Sequence, residues 1–227
     1  MEDHGVFSGT KRNILIGLFV LMAVYLTAVV IREIFDGPSV SFEGNIFYPW
    51  AIAIPQFGLV FFVACQVGWS GVLSSLKLSK LINVWPLVII PMVVTLNLGF
   101  AAAYASIVLS INVDFLMPPE IPKSILGSKS FTIVNLVVIG IFVPFAEELF
   151  FRGFFMISIA RHIGLYKSLL LTSILFACLH GHVGLLIPIL FSSITVSMVF
   201  IYFRSLWAPI TVHSIQNILV SIVAASA

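Results

Sequence analysis

Seven apolar stretches run along the chain, broken by short segments that carry most of its charges and turn-forming residues. A helix needs roughly 20 apolar residues to cross a bilayer. The pattern predicts spans at residues 14–31, 47–68, 84–109, 131–147, 168–180, 185–203 and 207–225. Lys11 and Arg12 precede the first span and Arg32 follows it. That span outruns a typical signal-peptide core and no A-x-A site follows it, so it reads as an anchor. Residues 87–94 and 136–143 are continuously apolar. They lack the two-residue alternation of a transmembrane barrel strand. The predicted fold class is all-α, a polytopic transmembrane helical bundle of about seven spans. Short connections suit one integrated membrane domain, with residues 1–130 as a three-span accessory part and 131–227 as the core.

Composition agrees with lipid as the main solvent. Of 227 residues, 60% are hydrophobic and 9% charged, against roughly 25% charged in soluble domains. Mean hydropathy is +1.17. These values exclude a cytosolic enzyme and a disordered segment. A net charge of +2 gives no reason to expect a nucleic-acid partner. Cys65 and Cys178 stand far apart in apolar runs, which gives neither a disulfide framework nor a Cys-based zinc site. Basic residues set an orientation. A cytoplasmic N-terminus puts Lys11, Arg12, Lys77, Lys80, Arg152, Arg161, Lys167 and Arg204 inside, and Arg32, Lys123 and Lys129 outside.

Ionisable groups at membrane depth cost about 2.5–3.5 kcal/mol each on insertion scales. Such positions here are Glu147, Glu148, Arg152, His180, His182 and His213, with the amide Asn217 beside them. All lie in the second half of the chain. Gln56, Gln66 and Asn97, in the earlier spans, are read as helix-to-helix hydrogen-bonding groups without chemistry. Glu148 and Arg152 are spaced i,i+4 and pair on one helix face. Glu147 is turned about 100° away, toward another target. Pro144 weakens the same helix and leaves room for a water.

Gly164 marks a turn between two antiparallel helices. Glu147 lies 17 residues before it and His180 lies 16 after it, each roughly 25 Å away at 1.5 Å per residue. The two residues are therefore level. His213 and Asn217 share a face of the last helix, and His213 follows Arg204 by nine residues, roughly 13 Å. Taking Arg152 as a second marker of the water boundary predicts a shallow cavity open to the basic, cytoplasmic side. That depth conflicts with a fifth helix ending at His180, unless the chain continues or re-enters through Gly181–Gly184.

A carboxylate, two imidazoles and an amide suit addition of water to a carbonyl. Glu147 takes a proton from water and His180 holds that water or shares the proton. His213 and Asn217 donate to the oxyanion. Glu148 and Arg152 support the site. Glu147, His180 and His213 are also acceptable zinc ligands, but the helical H-E-x-x-H arrangement is absent. The reading therefore takes no metal and no other cofactor. Gly68-Trp69-Ser70-Gly71 looks like a serine-protease motif, yet no histidine lies near it and paired glycines usually mark a turn. Cys178 and His180 are i,i+2 and do not face each other.

Glu147-Glu148-x-x-x-Arg152, Phe176-x-x-x-His180 and His213-x-x-x-Asn217 together resemble the three motifs of the CPBP family, the CAAX proteases and bacteriocin-processing enzymes, also called Abi proteins. The similarity covers about residues 131–225. It implies an intramembrane glutamic-type endopeptidase with a conical cavity holding the polar site. By the same resemblance, Glu147 and His180 activate water and His213 and Asn217 form the oxyanion site. The implied partner, besides the bilayer, is a peptide or protein with a membrane-proximal cleavage site. The family also contains regulators, so the alternative is a non-catalytic membrane scaffold that binds another membrane protein.

Overall fold

The computed structural model describes residues 10–35, 48–75, 84–121, 126 and 132–226. Among these, the chain forms seven helices: α1 Lys11–Phe35, α2 Tyr48–Ser75, α3 Trp85–Ser110, α4 Thr132–Ile163, α5 Leu165–Cys178, α6 Val183–Phe203 and α7 Trp207–Ser226. No strand occurs among the described residues. Six of the helices are long and apolar enough to cross a membrane, and α5 is shorter. The all-α polytopic bundle expected from the apolar pattern is the observed architecture, and the protein is an integral multi-pass membrane protein. Phe47, Phe131, Lys77, Lys80, Lys123 and Lys129 lie outside the described residues, as does the side chain of Arg32.

The bundle is built around α4. In its most apolar stretch 56% of residues are buried, against 17–39% in the other five long helices. Phe150, Phe151 and Phe154 are buried on it. They pack with α2 through an edge-on contact of Phe62 and Phe154, ring centroids 5.0 Å apart. They also reach α5 through Phe151 and Phe176, at 5.0 Å. Large apolar side chains elsewhere, among them Leu15, Phe19, Leu87 and Ile133, are exposed on the outside, where lipid would cover them.

α4 continues well past the boundary predicted near Glu147, because Arg152 is not at a water boundary. It is 1% exposed, deep inside the bundle. The helix also departs from regular α geometry. Two π-helical segments, Val138–Phe142 and Leu149–Met156, flank the turn that carries Glu147 and Glu148. Such segments concentrate at functional sites. At Gly140, α4 meets α7 so closely that a Cβ would overlap the side chain of Ile218.

The Gly164 hairpin joins α4 and α5 as predicted. The conflict at Gly181–Gly184 is settled by a turn. α5 stops at Cys178, Gly181 takes a left-handed φ of 69°, and α6 starts at Val183. His182 is the N-cap of α6, its Nδ1 accepting the Gly184 N–H at 3.1 Å. Its role there is local and structural.

Candidate active site

Pro144 shapes the first wall. In the π-helical segment before it, the Val143 N–H bonds to the Val138 carbonyl, five residues back. The Ile139 carbonyl would next look to residue 144, and proline has no N–H to give. Asn217 Nδ2 on α7 donates to that carbonyl at 3.2 Å. A helix defect thus becomes the anchor of a candidate site residue. This use of Pro144 differs from the water-sized gap expected from sequence.

The two adjacent glutamates diverge as their 100° offset requires. Glu148 is fully buried. Its Oε1 accepts Arg152 Nη1 at 2.8 Å and His213 Nδ1 at 2.9 Å. Arg152 completes its bonding on α6. Its Nη2 donates to the Ser193 hydroxyl at 2.7 Å and carbonyl at 3.1 Å, and its Nε to Ser197 Oγ at 3.2 Å. The guanidinium also lies 4.8 Å from the Phe176 ring centroid. Arg152 and Glu148 thereby hold the imidazole of His213 by its Nδ1–H.

Glu147 points the other way, into a cavity of about 470 Å³. Its Oε1 accepts Gln56 Nε2 at 3.1 Å, and its Oε2 lies 3.9 Å from His213 Nε2. His180, Asn217, Tyr25 and Gln56 line the same cavity. His180 Nδ1 is 2.8 Å from the Phe176 carbonyl. A carbonyl only accepts, so the proton sits on Nδ1, and neutral His180 presents a bare Nε2 lone pair. The spacing Phe176-x-x-x-His180 is thus a local bond that sets the tautomer.

All four residues predicted to do chemistry line one cavity, and the supporting pair is adjacent to it. The cavity's direction differs from the prediction. Ile139, Val143, Leu179, Gly181 and Val29 line it. These positions lead away from Gly164 and Arg204, toward the end of the bundle that carries the α5–α6 turn. The roughly 25 Å count from Gly164 was the sound ruler. The Arg152 marker failed because the arginine is buried, and the basic end is not where the cavity lies.

Sequence reasoning missed Gln56 and Tyr25. Gln56 is 3% exposed and bonded to Glu147, and the Tyr25 hydroxyl interacts with both Gln56 and Glu147. A glutamine in a membrane span was a usable signal. Asn97 carries the structural role expected of it, bonding Ser192 at 3.3 Å and Thr195 at 2.8 Å on α6. Gln66 is exposed on α2. Gly68 has φ 72° at a kink in α2; Ser70 beside it and Cys178 are both exposed outside the cavity. Among the described residues no three His, Cys, Asp or Glu side chains group as a metal site.

A family model described as Type II CAAX prenyl endopeptidase Rce1-like matches residues 129–219. No curated protein and no solved structure matches the chain. The matched segment holds Glu147, Glu148, Arg152, His180, His213 and Asn217, so the part of the chain that carries the candidate site is similar to the CAAX protease family.

Proposed function

We propose that the protein is a glutamic-type intramembrane endopeptidase that hydrolyses a peptide bond close to the membrane surface. The observation that carries this reading is the convergence of Glu147, His180, His213 and Asn217 on one cavity. A water between Glu147 and the bare Nε2 of His180 would give its proton to the carboxylate as its oxygen attacks the carbonyl carbon. The oxyanion that forms would take the second amide N–H of Asn217. It would also take an Nε2–H from His213. With Nδ1–H already bonded to Glu148, His213 can donate from Nε2 only as the imidazolium. Collapse breaks the C–N bond, and the proton held by Glu147 passes to the leaving amine. The products are an acid and an amine, with water consumed.

The matched family model is described as a type II CAAX prenyl endopeptidase. The substrate is therefore sought first among membrane-anchored peptides, with and without a prenyl group. The purified full chain in lipid vesicles should cleave one of them, and Glu147→Gln should abolish cleavage while leaving the folded protein intact. A cellular phenotype restored in full by Glu147→Gln would sink the peptidase reading and leave the scaffold.

A further inference from the structure

We infer that Gln56, on a helix outside the family-matched segment, is a positioning residue for Glu147. The inference rests on the peptidase reading of Glu147 but has its own observable. Gln56 Nε2 donates to Glu147 Oε1 at 3.1 Å. This leaves Oε2 as the carboxylate oxygen turned toward His213. An ionised carboxylate only accepts, so the amide must present its nitrogen to it.

The other end of the amide argues against simple helix glue. Gln56 Oε1 is buried and has no partner among the described residues. A glue residue would satisfy both ends, as Asn97 does with Ser192 and Thr195. An unsatisfied buried acceptor is destabilising and calls for an explanation. Here the explanation is the N–H on the carboxylate. The other groups around Glu147 are Tyr25 from α1, Glu148 and Arg152 from α4, and His213 from α7. His180 from α5 lines the same cavity. Gln56 is thus a neutral side chain that donates to Glu147 without titrating, and it fixes the carboxylate's rotation.

The test compares the full-length parent and Gln56→Met in lipid vesicles by three readouts. These are turnover of a membrane-anchored peptide that the parent cleaves, thermal stability, and labelling of Glu147 by a hydrophobic carbodiimide, which reacts with the protonated acid. Gln56→Met should be as stable as the parent, because it removes an orphaned acceptor together with the donor. Turnover should fall roughly tenfold or more with KM unchanged, as for the loss of a charged hydrogen bond. Labelling at neutral pH should be faster, because the carboxylate has lost a donor that favours its charge.

Parental turnover and labelling in Gln56→Met would overturn the positioning role while leaving the peptidase reading in place. No cleavage by the parent of any anchored peptide, with labelling still accelerated in Gln56→Met, would sink the peptidase reading and keep the positioning role. If the methionine variant does not accumulate, Gln56→Asn retracts the amide from Glu147 and is judged by the same labelling rate. A parental rate there also overturns the proposal.

Discussion

Arg152 carries its charge into the buried interior of the bundle, and its bonds define what its loss would do. Four hydrogen bonds and a ring contact hold the guanidinium among Glu148, Ser193, Ser197 and Phe176. Arg152→Met removes them and leaves the carboxylate of Glu148 buried with His213 alone. Breaking one member of such a pair costs about 3–5 kcal/mol. The variant should therefore unfold at a clearly lower temperature in detergent. Glu148→Gln combined with Arg152→Met should be less damaging than Arg152→Met by itself, because both charges are gone. If Arg152→Met is as stable as the parent but inactive, the arginine's role is contact with substrate rather than support.

At the scale of the element, α4 is where irregular geometry and chemistry coincide. Pro144 and the π-helical segment before it leave the Ile139 carbonyl for Asn217. Pro144→Ala supplies an N–H that competes for that carbonyl and releases the amide. Helix stability should hold or improve, since proline is unfavourable inside a helix. If Asn217 serves the oxyanion, turnover should drop by about 10²–10³. Unchanged turnover would detach Asn217 from that carbonyl's control. The contact of Gly140 with Ile218 sits one residue from each partner of this bond. Gly140→Val should wedge α4 from α7 and cost about 1–3 kcal/mol, as overpacking does. A thermal melt checks this, and Gly140→Val with Ile218→Ala should recover part of the loss.

For the whole molecule, the two ends of the bundle differ. Lys11, Arg12, Arg161, Lys167 and Arg204 mark one end by chain order, while the cavity leads to the other. The excess of basic residues argues for a cytoplasmic N-terminus, and this persists when the buried Arg152 is left out of the comparison. The cavity would then face the outer side. Tyr166 and Val183 are exposed near opposite ends. In a background with Cys65 and Cys178 replaced by serine, a membrane-impermeant thiol reagent should label Val183→Cys in intact cells. Tyr166→Cys should be labelled only after permeabilisation. The reverse pattern would invert the topology. Chelators should leave peptide cleavage intact, while added zinc should inhibit it, since Glu147 and two imidazoles line one cavity and are acceptable zinc ligands. Loss of activity on chelation, restored by stoichiometric metal, would overturn the metal-free mechanism.

Much of this was readable along the chain. Apolar runs determined the number of helices and the approximate placement of most of them, because each helix satisfies its own backbone in lipid, although α4 runs on to Ile163. The rarity of charge made Glu147, Glu148, Arg152, His180 and His213 conspicuous, and the count from Gly164 set two of them level. Local spacing gave the Glu148–Arg152 pair and the divergence of Glu147. Tertiary structure decided what surrounds them. Lipid-facing and helix-facing side chains are equally apolar, as exposed Leu15 and buried Leu21 on one helix illustrate. Without a hydrophobic contrast between faces, the sequence does not reveal which helices touch. It therefore gave no sign that α6 serines would enclose Arg152, and although Gln56 stood out as a polar group in a span, the sequence did not reveal that it and Tyr25 would reach Glu147. The depth of a charge likewise follows from its partners rather than its type, so only the packed bundle fixed the end at which the cavity lies.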